Sequence, residues 1–207
     1  QSHHNVDRGI ARDMQPYGLQ ATTPEHSFFY WVENERAAEH PEWFAWQNGR
    51  RLTPRGWHPQ VQVCTSNPEL VQYVIGRVVD FCGRHPEVKL IGLESNDGGG
   101  YCECAPCREL DPPAERERGQ VSTRYMLFWN QVAEAVRERH PDRQIAVLAY
   151  ANHAEPPAVR PAANIVVGFC NWRTWRAPMS AAEHAPQRIL LERWRALGVP
   201  LWIRSEE

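Results

Sequence analysis

Lysine is nearly missing from this chain. Lys89 is its single lysine among 23 basic residues, set against 25 acidic ones for a net charge of −2. The arginines form no basic run, and binding to a phosphate backbone needs concentrated positive charge, so nucleic acid is not expected as a partner. No stretch of about 18 uninterrupted apolar residues occurs, which excludes a membrane-spanning helix. No glycine-rich phosphate turn follows the first apolar run, and no internal repeat is present. No charged-then-apolar segment opens the sequence, which begins at Gln1 without Met and stops at Glu207, shortly after the apolar Leu201-Trp202-Ile203. The expectation is a piece of a longer protein, with the rest of the parent polypeptide as a partner. What is present is an ordinary globular composition, 207 residues with 42% hydrophobic, 10% aromatic and 23% charged side chains, enough to bury a real core.

Six short apolar runs read as buried strands: Ser27 to Val32, Val61 to Cys64, Val88 to Leu93, Ile145 to Tyr150, Ile165 to Cys170 and Leu201 to Ile203. Helical patterns lie between several of them. Asn67-Pro68-Glu69 reads as a cap with proline at the first helical position, followed by Leu70, Val71, Val74, Ile75, Val78 and Phe81 at helical spacing and a stop at Gly83 and Pro86. Ser122 is expected to cap a second helix through Val136, ended by His140-Pro141, and a third around Ile189 to Leu197 stops at Gly198. Near-continuous apolar strands alternating with helices predict a parallel sheet covered by helices. Strand after strand runs into hydrogen-bonding or aromatic residues, as in Glu94-Ser95-Asn96-Asp97, Tyr150-Ala151-Asn152-His153 and Cys170-Asn171-Trp172. A (β/α)8 TIM barrel gathers such ends around one mouth. A whole barrel needs about 250 residues, so the expected fold class is α/β, an incomplete TIM-barrel-like domain over 26–207 after a lead-in segment over 1–25.

The densest chemical signal is Leu93 to Cys107. Two carboxylates, Glu94 and Asp97, and the amide of Asn96 leave a strand end and run into Gly98-Gly99-Gly100. Acids so placed can serve as general acid or base, or orient a polar substrate group; Asn96-Asp97 can equally form no more than an Asx-type turn. Cys102, Cys104 and Cys107 follow at C-x-C-x-x-C spacing, dense enough to grip one zinc with Cys64 or a histidine as fourth ligand, or to form a disulfide with Cys64. Either would be structural, and no cofactor is expected in catalysis. Cys82 and Cys170 read as buried free thiols.

Nine tryptophans are present. Phe28, Phe29, Phe81, Trp129 and Trp194 read as core, whereas Trp31, Trp57, Tyr150, Trp172 and Trp175 lie near strand ends or in loops, where flat aromatic faces suit sugar rings as well as they suit packing. His26 opens the first run and His153 closes the fourth; each is a candidate for the site or for a hydrogen-bonded structural role.

An ordered series of motifs carries a family resemblance. His26-Ser27-Phe28-Phe29-Tyr30, His40-Pro41-Glu42-Trp43-Phe44-Ala45 with Asn48-Gly49-Arg50-Arg51, Cys64-Thr65-Ser66-Asn67-Pro68-Glu69, Ser95-Asn96-Asp97-Gly98 with Cys102-Glu103-Cys104-Ala105-Pro106-Cys107, Ser122-x-Arg124-Tyr125-x-x-Phe128-x-Asn130 and Leu148-Ala149-Tyr150 resemble the domain-of-unknown-function family numbered 4838. Some of its members are classed in glycoside hydrolase family 163, endo-β-N-acetylglucosaminidases acting on N-glycans. The resemblance implies a barrel-like carbohydrate-active domain of a secreted or cell-envelope bacterial protein, with a glycan as substrate. It also implies a substrate-assisted retaining mechanism. On that reading Asp97 and Glu94 are the catalytic carboxylates, with Glu206 as an alternative partner acid, and Asn96, His26, Tyr150, Trp172, Asn171 and Trp31 contact the sugar. The competing reading is the same barrel binding carbohydrate without turnover.

Overall fold

The computed structural model describes residues 26–54, 61–170 and 181–204. It begins with one helical turn, α1 (Phe28–Trp31), two 3-10 turns over Asn34–Ala38 and Pro41–Trp43, and a hairpin of β1 (Trp46–Gln47) and β2 (Arg50–Arg51). Helix α2 (Pro68–Arg84) leads to β3 (Leu90–Gly92). Two short helices, α3 (Ala105–Glu109) and α4 (Pro113–Glu117), and the long α5 (Ser122–Arg139) precede β4 (Gln144–Ala149). The described chain finishes with β5 (Ile165–Cys170), α6 (Ala181–Arg195) and β6 (Leu201–Arg204).

Strands β3, β4, β5 and β6 pair in that order and all run parallel, with Ile145 opposite both Ile91 and Ile165, and Gly168 opposite both Leu148 and Trp202. The expected βαβ reading holds for these four strands. β4 is buried from Ile145 to Ala149, and β5 is buried at every position but Val166, as a parallel sheet with both faces covered requires. Helices α2 and α5 pack against each other and fill the core with Leu70, Val74, Val78 and Phe81 from one and Met126, Trp129, Val132 and Val136 from the other, against Ile91, Leu93, Ile145, Val147, Ile165 and Val167.

Helix α2 starts as the sequence predicts: the Asn67 side chain accepts from the Leu70 N–H at 3.0 Å and Pro68 stands in the first turn. Helix α5 starts differently. Ser122 is its first residue, and its buried hydroxyl has no partner among the described residues. The cap comes from α4, where the buried Glu115 carboxylate accepts from the Thr123 N–H at 2.9 Å and from the Thr123 hydroxyl, placing a negative charge on the helix N-terminus.

Two expected strands are not strands of this sheet. Ser27 to Val32 turns into α1, and Phe28 and Trp31 are its buried residues, three apart on one helical face. The edge of β3 is taken by single groups instead: the Trp31 indole N–H donates to the Gly92 carbonyl at 2.8 Å, and the Ser27 and Phe28 N–H groups both donate to the Glu94 carbonyl at 3.1 and 2.9 Å. Val61 to Cys64 contributes one isolated antiparallel bridge, Phe44 with Val63. The described residues therefore form a four-stranded parallel sheet and not a closed barrel. Cys82 is a buried free thiol and Cys170 is buried at the end of β5, and burial pushes the Cys82 thiol up to about 11.

Gly168 marks a close approach between neighbouring strands. A Cβ there would lie 2.5 Å from the Trp202 indole and 2.8 Å from a Leu148 methyl. Gly168→Ala is expected to cost about 1–3 kcal/mol of unfolding free energy by overpacking, seen as a lower midpoint in urea denaturation; an unchanged midpoint would mean that Trp202 moves aside freely.

Candidate active site

All four strands of a parallel sheet end on the same side, and the chemistry collects there. Glu94 lies just past the end of β3 with 0% exposure. Its Oε1 accepts from the Ser95 N–H and hydroxyl, both at 2.8 Å, and lies 2.8 Å from His153 Nε2; its Oε2 accepts from the Leu148 N–H of β4 at 2.6 Å. The preceding rung between these strands runs from the Leu93 N–H to the Ala146 carbonyl at 2.9 Å. The carboxylate thus carries the β3–β4 ladder one step beyond the backbone, and its desolvation is offset by donors on every side. With Nε2–H given to Glu94, His153 Nδ1 is the acceptor for the Tyr101 hydroxyl at 3.2 Å. Burial, and after it the Glu94 charge, push the Tyr101 phenol far up, so it stays a donor.

Asn96 is also buried and fully engaged: its Oδ1 accepts from the Phe29 N–H at 3.0 Å and its Nδ2 donates to the Val61 carbonyl at 2.7 Å. Gln62, at 0% exposure, clamps the same turn by donating to the Asn96 carbonyl at 2.5 Å and accepting from the Asn96 N–H at 3.2 Å. The chain emerges at Asp97, whose side chain is 44% exposed. Asp97 Oδ1 accepts from the Gly98 N–H at 2.8 Å and the Tyr150 hydroxyl at 3.4 Å, and His26 Nε2 lies 3.5 Å away. The His26 ring meets the Tyr150 ring edge-on at 5.6 Å, and its Nδ1 contacts the Ser95 carbonyl at 3.0 Å. Tyr150 is delivered by β4 and followed by Ala151 at φ 46°, a left-handed turn unusual for alanine.

The structure therefore brings Asp97, His26 and Tyr150 together at the strand ends. Glu94 and Asn96, expected to contact the substrate, are instead buried at 0% and 4% exposure and bonded within the protein. Trp31 is 1% exposed and belongs to the core, its ring edge-on to Phe81. Asn171, Trp172, Trp57, Trp175 and Glu206 lie outside the described residues. Sequence reasoning missed Gln62, a lone amide inside an apolar run, and passed over Tyr101 and Arg124 as chemistry. A cavity of about 420 Å³ opens further along the loop that carries Asp97, lined by Gln47, Tyr101, Glu103, Arg116, Arg124 and Asn152 among others; Asp97, His26 and Tyr150 do not line it. One wall is the buried pair of Arg124 with Asp111, Nε to Oδ1 at 2.9 Å and Nη2 to Oδ2 at 2.8 Å.

Further along the same loop, Cys102, Cys104 and Cys107 meet Cys64 from the segment before α2. Cys64, Cys102, Cys104 and Cys107 have sulfur atoms all within 4.8 Å of one another and form no disulfide; Cys102 and Cys104 stand 3.4 Å apart, far beyond a disulfide bond of about 2.05 Å. Hydrogen bonds from Cys102, Cys64 and Ser66 hold the Cys107 thiol far below its usual range. The β1–β2 hairpin, which sequence reasoning did not read, turns at Asn48-Gly49, whose φ angles of 49° and 79° make a two-residue turn.

The two acids differ in what they support. Glu94→Ala strands the Leu148 and Ser95 N–H groups and is expected to cost about 3–5 kcal/mol, whereas Asp97→Ala should stay within about 0.5 kcal/mol. Chemical denaturation of both variants checks this, and equal stabilities would contradict the buried role of Glu94.

Comparison with solved structures places this geometry in a wider fold. A catalytic mutant of Gan42B, a GH42 β-galactosidase from G. stearothermophilus, shares 15% identity, covering 86% of this chain and 34% of that one, with a TM-score of 0.52. A second structure of Gan42B gives 13% identity, 82% and 32% coverage, and a TM-score of 0.51. The chain spans about a third of the length of these TIM-barrel enzymes, and the likeness is one of fold. None of the curated proteins matches its sequence. Residues 2–203 match the domain of unknown function DUF4838, and the chain belongs to that family.

Proposed function

We propose that this chain is the acid-bearing part of a glycoside hydrolase that cleaves N-acetylglucosamine-containing glycans, with Asp97 as the carboxylate that meets the sugar. The observation that carries the reading is the exposed Asp97 at the end of β3, held at Oδ1 by Gly98 and Tyr150, with Oδ2 unpartnered among the described residues. In the substrate-assisted route, the acetamido oxygen bonds to the anomeric carbon while the glycosidic C–O bond breaks and a second acid protonates the leaving oxygen. Asp97 Oδ2 accepts the acetamido N–H and steadies the positive charge that develops on the ring so formed. Water then attacks the anomeric carbon and restores the acetamide with net retention. Tyr150 and His26 fix the direction of Asp97 and offer ring faces to the sugar.

Glu94 is a positioning residue in this scheme, because both its oxygens are consumed inside the protein. Glu206, the alternative partner acid, lies outside the described residues. The sealing of Glu94 is also the observation that favours the second reading, a barrel that binds glycan without cleaving it.

Assay of the full-length protein on N-glycoproteins and aryl N-acetylglucosaminides separates the two. Asp97→Ala is expected to lower kcat/KM by about 100-fold or more while glycan affinity changes little. If the wild type releases no glycan and Asp97→Ala weakens binding, the binding reading stands in its place.

A further inference from the structure

The four cysteines that the proposed hydrolysis leaves unused have a geometry of their own. Cys64 to Cys104 is 3.7 Å, Cys64 to Cys107 is 3.8 Å and Cys102 to Cys104 is 3.4 Å between sulfur atoms. Thiolates bound to one zinc at about 2.3 Å in a tetrahedron stand about 3.8 Å apart. The surroundings suit a negatively charged thiolate cage. The Trp46 N–H donates to Cys102 Sγ at 3.2 Å, the Arg51 guanidinium lies 3.9 Å from the same sulfur, and the Ser66 hydroxyl lies 3.1 Å from Cys107 Sγ. Cys64, Cys102 and Cys107 are buried with Ala45 in a small cluster apart from the main core, so ordinary core packing does not account for four sulfurs meeting there.

We infer that Cys64, Cys102, Cys104 and Cys107 form a closed four-thiolate site for a single zinc ion, which ties the loop carrying Asp97 and α3 to the start of α2. Four protein ligands leave no open position, so the ion is structural. The ligands come from three places: Cys64 just ahead of α2, Cys102 and Cys104 in the loop after β3, and Cys107 within α3. Further bonds extend the tie. The Glu103 N–H donates to the Trp46 carbonyl at 2.7 Å, Gln47 donates to the Tyr101 carbonyl at 3.3 Å, and Arg124 donates to the Cys102 carbonyl. Through Tyr101 and His153 this frame reaches Glu94.

The test is metal analysis of the purified full-length protein, and it is independent of any hydrolase assay. About one zinc per chain is expected at this site, and cobalt exchanged into it should show the intense thiolate-to-cobalt absorption of a tetrahedral sulfur site. Cys104→Ser and Cys107→Ser should each cut the zinc to below roughly a tenth of an equivalent, while Cys82→Ser keeps it. Stripping the zinc from wild-type protein should speed tryptic cleavage at the exposed Arg108 by about tenfold or more, a readout that does not depend on the variants folding. Wild-type protein with no zinc and no thiolate–cobalt absorption overturns the proposal. So does iron in place of zinc, or mass-spectrometric detection of a disulfide among the four cysteines.

Discussion

The buried Glu94 carboxylate is the constraint on which the strand-end region depends. A charge with no solvent contact survives in a protein interior only when donors surround it. Here they come from its neighbour Ser95, from β4 through Leu148, and from His153 in the turn beyond β4. Because the side chain supplies the next acceptor of the ladder, the Glu94 backbone is free to turn away and accept from Ser27 and Phe28. One residue thereby joins the first described segment, the end of β3 and the end of β4.

That junction explains why Asp97 is exposed and yet well placed. The three residues before it are buried and bonded on both sides, with Gln62 and Val61 gripping Asn96. The first residue free to face solvent is Asp97, and Tyr150 and His26 arrive beside it from β4 and from the segment anchored on Glu94. A polar side chain held by rigid neighbours loses less freedom when it meets a ligand. The loop continues to the cysteine cluster and the Arg124–Asp111 pair, so the glycines at 98–100 stand between two fixed points.

Much of the architecture was legible. β5 matches its apolar run from Ile165 to Cys170, α2 begins at the Asn67 cap, and the spacing of Cys102, Cys104 and Cys107 with Cys64 marked four residues that do meet. What was misread has a common cause. Phe28-Phe29-Tyr30-Trp31 has the composition of a buried strand, but an indole N–H and two backbone N–H groups reach the carbonyls that an edge strand would have used. Glu94 and Asp97 look equivalent three positions apart, and their opposite environments come from partners 53 to 59 residues away.

Local pattern by itself determined the elements of the parallel sheet, the helices that cover it and the clustering of acids at its carboxyl edge, because periodicity, caps and strand ends are written in near neighbours. Only the tertiary structure decided which carboxylate is sealed and which is open, that Trp31 and Asn96 serve the interior, and that Tyr150 and His26 converge on Asp97. Burial and long-range hydrogen bonding depend on where distant segments come to rest, and no window of adjacent residues contains that information.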